Sequence, residues 1–342
     1  MRIIIDAMGG DNAPDEIVLG AVQAAKEFQT EIVLVGRGED ILRGMKAKGI
    51  DTLPEGVEIA NAEDMVDMHA DPTQVVQQHR NSSMVMGLKM LADGSGDAFI
   101  SAGNTGALLT AATLLVKRIR GIRRAAFAPL FPTKAVLIDA GANAECTPEF
   151  LMQFGCMGSL YAQKALGIAQ PRVALLNNGV EEGKGDELHK SAYDLLKKAD
   201  ENGLIHFAGN IEARDVLMGG ADVIVADGFS GNILLKSIEG TASFMSGLMK
   251  KMFKRNLISK IGYLCCKPGV QEIRKLMDYR ETGGSMLVGL NKPVIKAHGS
   301  SDALAIRGAV HQAVEAARSG FCEEIRANIS KMTLPREANH AD

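Results

Sequence analysis

Two glycines enclose an asparagine and a threonine at Gly103-Asn104-Thr105-Gly106, between an apolar run with strand character and a second apolar stretch with helical spacing. Glycine lets the chain turn sharply, and the start of a helix directs unpaired N–H groups and partial positive charge outward, which suits phosphate. The same four residues also suit a plain strand-to-helix turn, so both readings stand on sequence. Lys184 lies between glycines in GVEEGKG (179–185), where a flexible loop can carry an ammonium to an anionic substrate or leave it in solvent. Asn104, Asn143, Asn178, Asn210 and Asn232 are neutral donors in or beside similar loops. Such groups can hold a carbonyl oxygen that becomes negative, and they also serve turns. His298, at a strand end, can donate to an anion or satisfy a turn.

Nucleophiles are scarce by comparison. Ser101, Ser230, Ser300 and Ser301 show no relay to a histidine and an acid, and no GxSxG is present. Cys146 follows Gly-Ala-Asn without a residue to lower its pKa, which reads as structural. Neither a Walker A loop nor a GxGxxG after a strand occurs, which counts against nucleoside triphosphates and dinucleotides.

The elements that must position these residues follow from periodicity. Short β-branched runs at 2–6, 31–36, 97–103, 135–141, 172–178, 222–228 and 293–299 alternate with helical patterns at 15–28, 107–118, 187–199 and 302–317. That alternation predicts an α/β fold, a three-layer α/β/α sandwich around a mainly parallel sheet. Small polar loops at 6–11, 101–106, 139–143, 177–185, 227–232 and 298–302 then fall along one sheet edge, where ligands bind at a topological switch point. Residues 1–333 are expected to form a single catalytic architecture, in one piece or as two intertwined halves, with a frayed polar tail at 334–342.

Composition narrows the function classes. A chain of 342 residues with 46% hydrophobic content can bury a large core without staples. Its net charge of −3 argues against general nucleic-acid binding, so any basic patch is local. Five cysteines without a CxxC or a Cys/His cluster at zinc spacing suit a reducing cytoplasm and give no metal site. The N-terminus enters a strand directly rather than a signal peptide, and no apolar stretch is long enough to span a bilayer.

Residues 244–267, FMSGLMKKMFKRNLISKIGYLCCK, contain no acid. Met245, Leu248, Met249, Met252 and Phe253 define one helical face, and Lys250, Lys251, Lys254 and Arg255 the other. Such a segment can lie in an anionic lipid interface, receive an acidic partner, or be a core helix with a solvated basic face.

Taken in order, DAMGGDNAP (6–14), NSSM (81–84), SAGNTGAL (101–108), DAGAN (139–143), LLNNGVEEGKG (175–185), GNIEARD (209–215), DGFSGNILLKSIEG (227–240) and IKAHGSSDA (295–303) resemble the PlsX family of acyl-acyl carrier protein:phosphate acyltransferases. The resemblance covers almost the whole chain. It implies a fold similar to the isocitrate and isopropylmalate dehydrogenases and to phosphate acetyltransferase, and a reaction in which a long-chain acyl group passes from acyl carrier protein to inorganic phosphate. It further implies a homodimer in the cytoplasm, held peripherally at an anionic surface on the inner face of the plasma membrane, with no cofactor, metal or nucleic acid. On matching positions, Lys184, Asn232 and Asn104 are the catalytic candidates. Gly103, Thr105, Gly106, Asp139, Gly141, Asn143, Asp227 and His298 are the substrate-binding candidates. Leu248, Lys250, Lys251, Phe253, Lys254 and Arg255 are the candidates for contact with membrane or partner, the donor protein being acidic. Departures are Gln77 for an arginine, Ala213 for a glycine, and Ser285 within the pattern at 284–289. Alternatives are a coenzyme A-dependent phosphate acetyl- or butyryltransferase and an isocitrate-type dehydrogenase.

Overall fold

The first strand, Arg2–Asp6, is RIIID, and its isoleucines are 0–1% exposed. A strand buried on both faces is the mark of a parallel sheet covered by helices on each side. The computed structural model describes residues 1–276 and 283–333, so the expected tail at 334–342 lies outside the described residues. In chain order the strands are β1 (Arg2–Asp6), β2 (Glu31–Gly36), β3 (Val57–Asn61), β4 (Ala98–Ser101), β5 (Ala126–Ala128), β6 (Val136–Ile138), β7 (Arg172–Asn177), β8 (His206–Glu212), β9 (Val223–Val225), β10 (Ser285–Val288) and β11 (Val294–Lys296). The helices are α1 (Asp15–Phe28), α2 (Gly38–Ala47), α3 (Val75–Gln78), α4 (Ser83–Ala92), α5 (Thr105–Leu115), α6 (Pro148–Ala165), α7 (Glu187–Glu201), α8 (Gly228–Lys254), α9 (Leu257–Leu276), α10 (Ala303–Ser319) and α11 (Phe321–Asn328).

The strands form a seven-stranded sheet, β3-β2-β1-β4-β11-β10-β5, and a four-stranded sheet, β6-β9-β7-β8. Pairing is parallel except at β10, which runs antiparallel to both β11 and β5. The two sheets meet at β5 and β6, where Ala140 N donates to Phe127 O (3.1 Å) and Leu137 N to Pro129 O (3.1 Å). Side chains alternate across them: Ile3 and Ile5 enter one apolar layer with Val173 and Val223, while Ile4 enters the other with Ala174 and Ile224. Both layers therefore run through both sheets, and the expected α/β/α arrangement is the observed one.

Several elements depart from the expected pattern. The segment 227–232, expected as a loop, is instead the start of α8: β9 stops at Val225, and Asp227 caps the helix by accepting from Phe229 N (3.0 Å) and Ser230 N (2.9 Å). Only Gly228, Gly231 and Leu234 of α8 are buried, because the helix soon leaves the body of the protein. Beyond that point Phe244, Met245, Leu248 and Met252 are exposed, and α9 exposes Leu257, Ile258, Ile261 and Leu264. The edge-to-face contact of Phe253 with Tyr263 (5.2 Å) ties α8 to α9. The core-helix reading of 244–267 therefore fails, since its apolar side chains meet solvent rather than a core.

Candidate active site

The site is assembled at strand ends. Asp6 closes β1 fully buried, where its carboxylate accepts from Ser83 Oγ (2.6 Å), Ser101 Oγ (2.7 Å) and Met8 N (3.2 Å). Burial raises its pKa, and these hydrogen bonds oppose the rise. Asp6 thus joins the ends of β1 and β4 to the start of α4. A Cβ at Gly9 would lie 2.5 Å from Asp6 Oδ2 and 2.8 Å from Gly103 N, so only glycine lets the first turn approach the Gly103 loop. Asp11 N donates to Gly299 O (2.8 Å), which brings the His298 loop to the same place.

Asn104 caps α5 by accepting from Ala107 N (3.0 Å), and its Nδ2 donates to Met68 O (2.9 Å) and Ala70 O (3.2 Å). Both ends of its side chain are therefore occupied in holding the loop. The donors left over are backbone amides: among the described residues, Thr105 and Gly106 N–H have no hydrogen-bond acceptor. They sit where the helix dipole favours an anion.

Lys296, at the end of β11 and 9% exposed, reaches the start of the same loop. Its Nζ donates to Ala102 O (3.3 Å) and to Ala297 O. Burial pushes its pKa down to about 8, against the pull of Asp6 and Asp11, and the nearby ammonium of Lys236 adds to the fall. His298 Nδ1 contacts Ser300 Oγ (2.8 Å), and burial, with Lys236, lowers its pKa. Lys236 is exposed on α8 and pairs with Glu239 (2.7 Å).

A second cluster forms at the ends of β6 and β9. Asp139 is wholly buried and accepts from Phe127 N (2.9 Å), Ala142 N (3.0 Å), Asn143 N (2.7 Å) and Asn143 Nδ2 (2.9 Å). Burial raises its pKa against these donors. Asn143 Nδ2 also donates to Ala125 O (2.8 Å), and Asn143 O accepts from Gly228 N (2.7 Å). Asp139 and Asn143 thereby form a pedestal for the first turn of α8. Asn232, exposed one turn along, lies over Gly141: a Cβ there would be 3.7 Å from Asn232 Oδ1. Positive φ at Gly141 (128°) requires glycine in this turn. Cys146 donates to Asn143 O (3.5 Å), and burial pushes its thiol up to about 11, so it is not a thiolate near neutral pH.

The Lys184 loop follows β7, next to β9. Asn177 Nδ2 donates to Lys184 O (3.1 Å) and Asn210 Oδ1 (3.1 Å), while Asn210 Nδ2 donates to Glu181 O (2.8 Å). This network shapes the loop and leaves Lys184 exposed. Among the described residues, its side chain makes no hydrogen bond to the Asn104, Asp139 or Asn232 groups.

Of the expected residues, the structure gathers Gly103, Asn104, Thr105, Gly106 and His298 around β1, β4 and β11. It gathers Asp139, Gly141, Asn143, Asp227 and Asn232 around β6 and β9. Helix α8 connects the clusters, carrying Asn232 at one and Lys236, one turn later, at the other. Sequence reasoning passed over Ser83, Lys236 and Lys296, and gave Asp6, the start of the polar loop at 6–11, no part in the phosphate reaction. A lysine inside the apolar strand PVIKAHG was the available signal for Lys296. The departures Gln77 and Ala213 are exposed, and Ser285 opens β10 half-buried.

A family model described as "Fatty acid synthesis protein" matches residues 1–324. The phosphate acyltransferase of Alkaliphilus oremlandii (strain OhILAs) is 45% identical over 335 residues, covering 97% of this chain and 98% of that one. That of Clostridioides difficile (strain 630) is 42% identical over 343 residues, covering 99% of each. Among solved structures, a phosphotransacetylase from Streptococcus pyogenes superposes with a TM-score of 0.59 at 18% identity, over 93% of this chain and 94% of that one. A 4-hydroxythreonine-4-phosphate dehydrogenase from Burkholderia phymatum gives 0.54 at 14% identity, over 92% and 97%. The structural likenesses establish a shared fold, in agreement with the dehydrogenase-like fold expected from sequence.

Proposed function

This chain belongs to the PlsX family, and from that premise we propose that it transfers a long-chain acyl group from acyl carrier protein to inorganic phosphate. Phosphate is already largely ionised near neutral pH, so the reaction needs neither a strong base nor an acyl-enzyme; it needs two reactants held in contact. A phosphate oxygen attacks the thioester carbonyl, the tetrahedral intermediate collapses, and the C–S bond breaks to release the carrier thiolate and acyl phosphate. Thr105 and Gly106 amides and Lys184 grip phosphate, with Lys296 and Lys236 adding positive charge. Asn232 donates to the carbonyl oxygen as it becomes negative.

The observation that carries this reading is α8, which sets an amide donor and a cation one turn apart between a cluster holding free amides and a buried ammonium, and a second cluster without an activated nucleophile. The test mixes protein, long-chain acyl-acyl carrier protein and phosphate and traps acyl phosphate with hydroxylamine, phosphate being omitted as control. Lys184→Ala and Asn232→Ala should each lower turnover about 10²- to 10³-fold, the usual loss for an oxyanion donor. Near-normal turnover in both would remove these roles. A coenzyme A donor is the second reading, which the phosphotransacetylase likeness brings forward at the level of fold, and comparison of the two donors decides it.

We further propose a homodimeric, cytoplasmic enzyme, 1–333 acting as one unit, held at an anionic membrane surface through α8 and α9. Leu248 and Phe253 supply apolar contact, and Lys250, Lys251, Lys254 and Arg255 the charge. Exposure of the apolar residues on both helices supports this. Among the described residues, no helix is long and apolar enough to cross a membrane.

A further inference from the structure

Between α5 and β5 the chain reads KRIRGIRR (117–124), with cations at Lys117, Arg118, Arg120, Arg123 and Arg124 in a protein of net charge −3. All but Arg118 are exposed. Among the described residues only Arg123 has a carboxylate partner, Glu149 at 3.2 Å. Like charges packed this closely repel one another, and among the described residues no ion pair to an acid offsets the charge on Lys117, Arg118, Arg120 or Arg124.

The loop is nonetheless held firmly. Asn291 Nδ2 donates to Val116 O (3.2 Å), Lys117 O (3.1 Å) and Arg118 O (3.3 Å), and Gln153 accepts from Arg123 N (2.9 Å) while donating to Gly121 O (3.1 Å). Arg124 stacks over the Phe150 ring at 5.4 Å. The result is a preset basic rim around an open cleft of about 330 Å³ floored by Ile122 and Phe150. A surface fixed before binding loses less freedom when a partner arrives.

Its position ties it to the site. The residues directly after the loop are those that serve the pedestal: Ala125 O accepts from Asn143 Nδ2 (2.8 Å), and Phe127 N donates to Asp139 Oδ1 (2.9 Å). The Arg124 guanidinium also lies near enough to Cys146, beside Asp139 and Asp227, to act on its thiol.

We propose that this loop is the docking surface for the acidic protein that delivers the acyl thioester, an acidic helix meeting the exposed Lys117 and Arg120 and the cleft that Arg118, Arg123 and Arg124 line. The proposal rests on the carrier-protein reading of the donor. Charge complementarity selects the partner, since the cations that have no ion pair among the described residues suit an acidic surface. A lipid surface fits less well: Ile119 and Ile122 are 1% and 5% exposed, so the loop offers charge without an apolar face to insert.

The experiment compares the full-length protein with Lys117→Glu/Arg120→Glu, measuring acyl phosphate formation against acyl-acyl carrier protein and against phosphate at several ionic strengths. The variant should raise KM for the carrier about tenfold or more, flatten its salt dependence, and leave kcat and KM for phosphate within about twofold. Lys117→Arg/Arg120→Lys, which keeps both charges, should retain the parent's carrier KM. An unchanged carrier KM in the charge-reversed protein overturns the assignment. So does an equal loss in kcat and in both KM values, which would make the loop a support for the site. Loss of binding to phosphatidylglycerol vesicles with an unaltered carrier KM would reassign it to the membrane. If the unmodified protein makes no acyl phosphate from the carrier donor, the donor reading fails first, before any variant is made, and the docking surface fails with it.

Discussion

Gly231→Ala is a substitution that local propensity favours and tertiary contact forbids. Gly231 lies in the first turns of α8, where alanine is preferred over glycine by about 1 kcal/mol. A Cβ there would meet Asp139 O at 1.9 Å, whereas real Cβ contacts essentially never fall below 3.0 Å. Either the helix or the Asp139 turn must then move by about 1 Å. Neither yields easily, since Gly228 N is bonded to Asn143 O (2.7 Å) and the Asp139 carboxylate to four donor groups. Overpacking of this kind costs roughly 1–3 kcal/mol, which offsets or exceeds the propensity gain, so net destabilisation reaches about 2 kcal/mol. Function suffers more, because Asn232 is the next residue and a displacement of about 1 Å lowers turnover on the order of 10²-fold. Urea unfolding and hydroxylamine trapping measure the two effects separately. Gly240→Ala, in the same helix with no atom within 4 Å of the added Cβ, is the control, expected to gain up to about 1 kcal/mol with unchanged turnover. A Gly231→Ala protein as stable and as active as its parent would refute the close-packed pedestal.

Lys296 makes a pH-dependent prediction. Its folded pKa, about 8, lies below the ordinary lysine value of 10.5, so between the two the unfolded chain holds a proton that the native state has lost. Native stability due to this residue therefore rises with pH across that window, by at most about 3 kcal/mol, and the burial penalty is fully present below it. The stability difference between Lys296→Met and the parent should change by that amount, in favour of the parent, from pH 7 to 10.5 in urea unfolding; a difference independent of pH would rule out a buried ammonium. For the membrane face, Leu248→Asp/Leu264→Asp replaces exposed side chains (43% and 67%) and should abolish co-sedimentation with anionic vesicles while soluble turnover stays within about twofold. Loss of turnover as well would move the apolar face from lipid to carrier docking or to assembly.

Much of the scaffold is written in local pattern. The run RIIID and the helix at 15–28 are recoverable from apolar period and flanking polar turns alone, because burial on one or two faces imposes a spacing on the residues themselves. The short strands β5 and β10 are another matter. Each is only a few residues long, and their antiparallel pairing with each other joins parts of the chain far apart in sequence, so no local period announces them. The segment 227–232 misleads for a related reason: glycine, serine and asparagine favour turns, and only the pedestal of Asp139 and Asn143 shows why glycines are needed inside a helix.

The site divides the same way. The sequence by itself determined the α/β/α layering, most of the small polar loops at strand ends and a basic segment with an apolar face, because each follows from residue type and spacing, while the family followed from the resemblance of its ordered motifs. Tertiary structure decided that Asn104 is occupied by loop carbonyls, that Lys296 is buried against Ala102, that the apolar side of α8 faces solvent, and that the residue directly after the basic loop, Ala125, is bonded to the pedestal. Those outcomes depend on which strand ends become neighbours and on how much water is excluded between them, and burial of that kind is a property of the packed chain rather than of any segment within it.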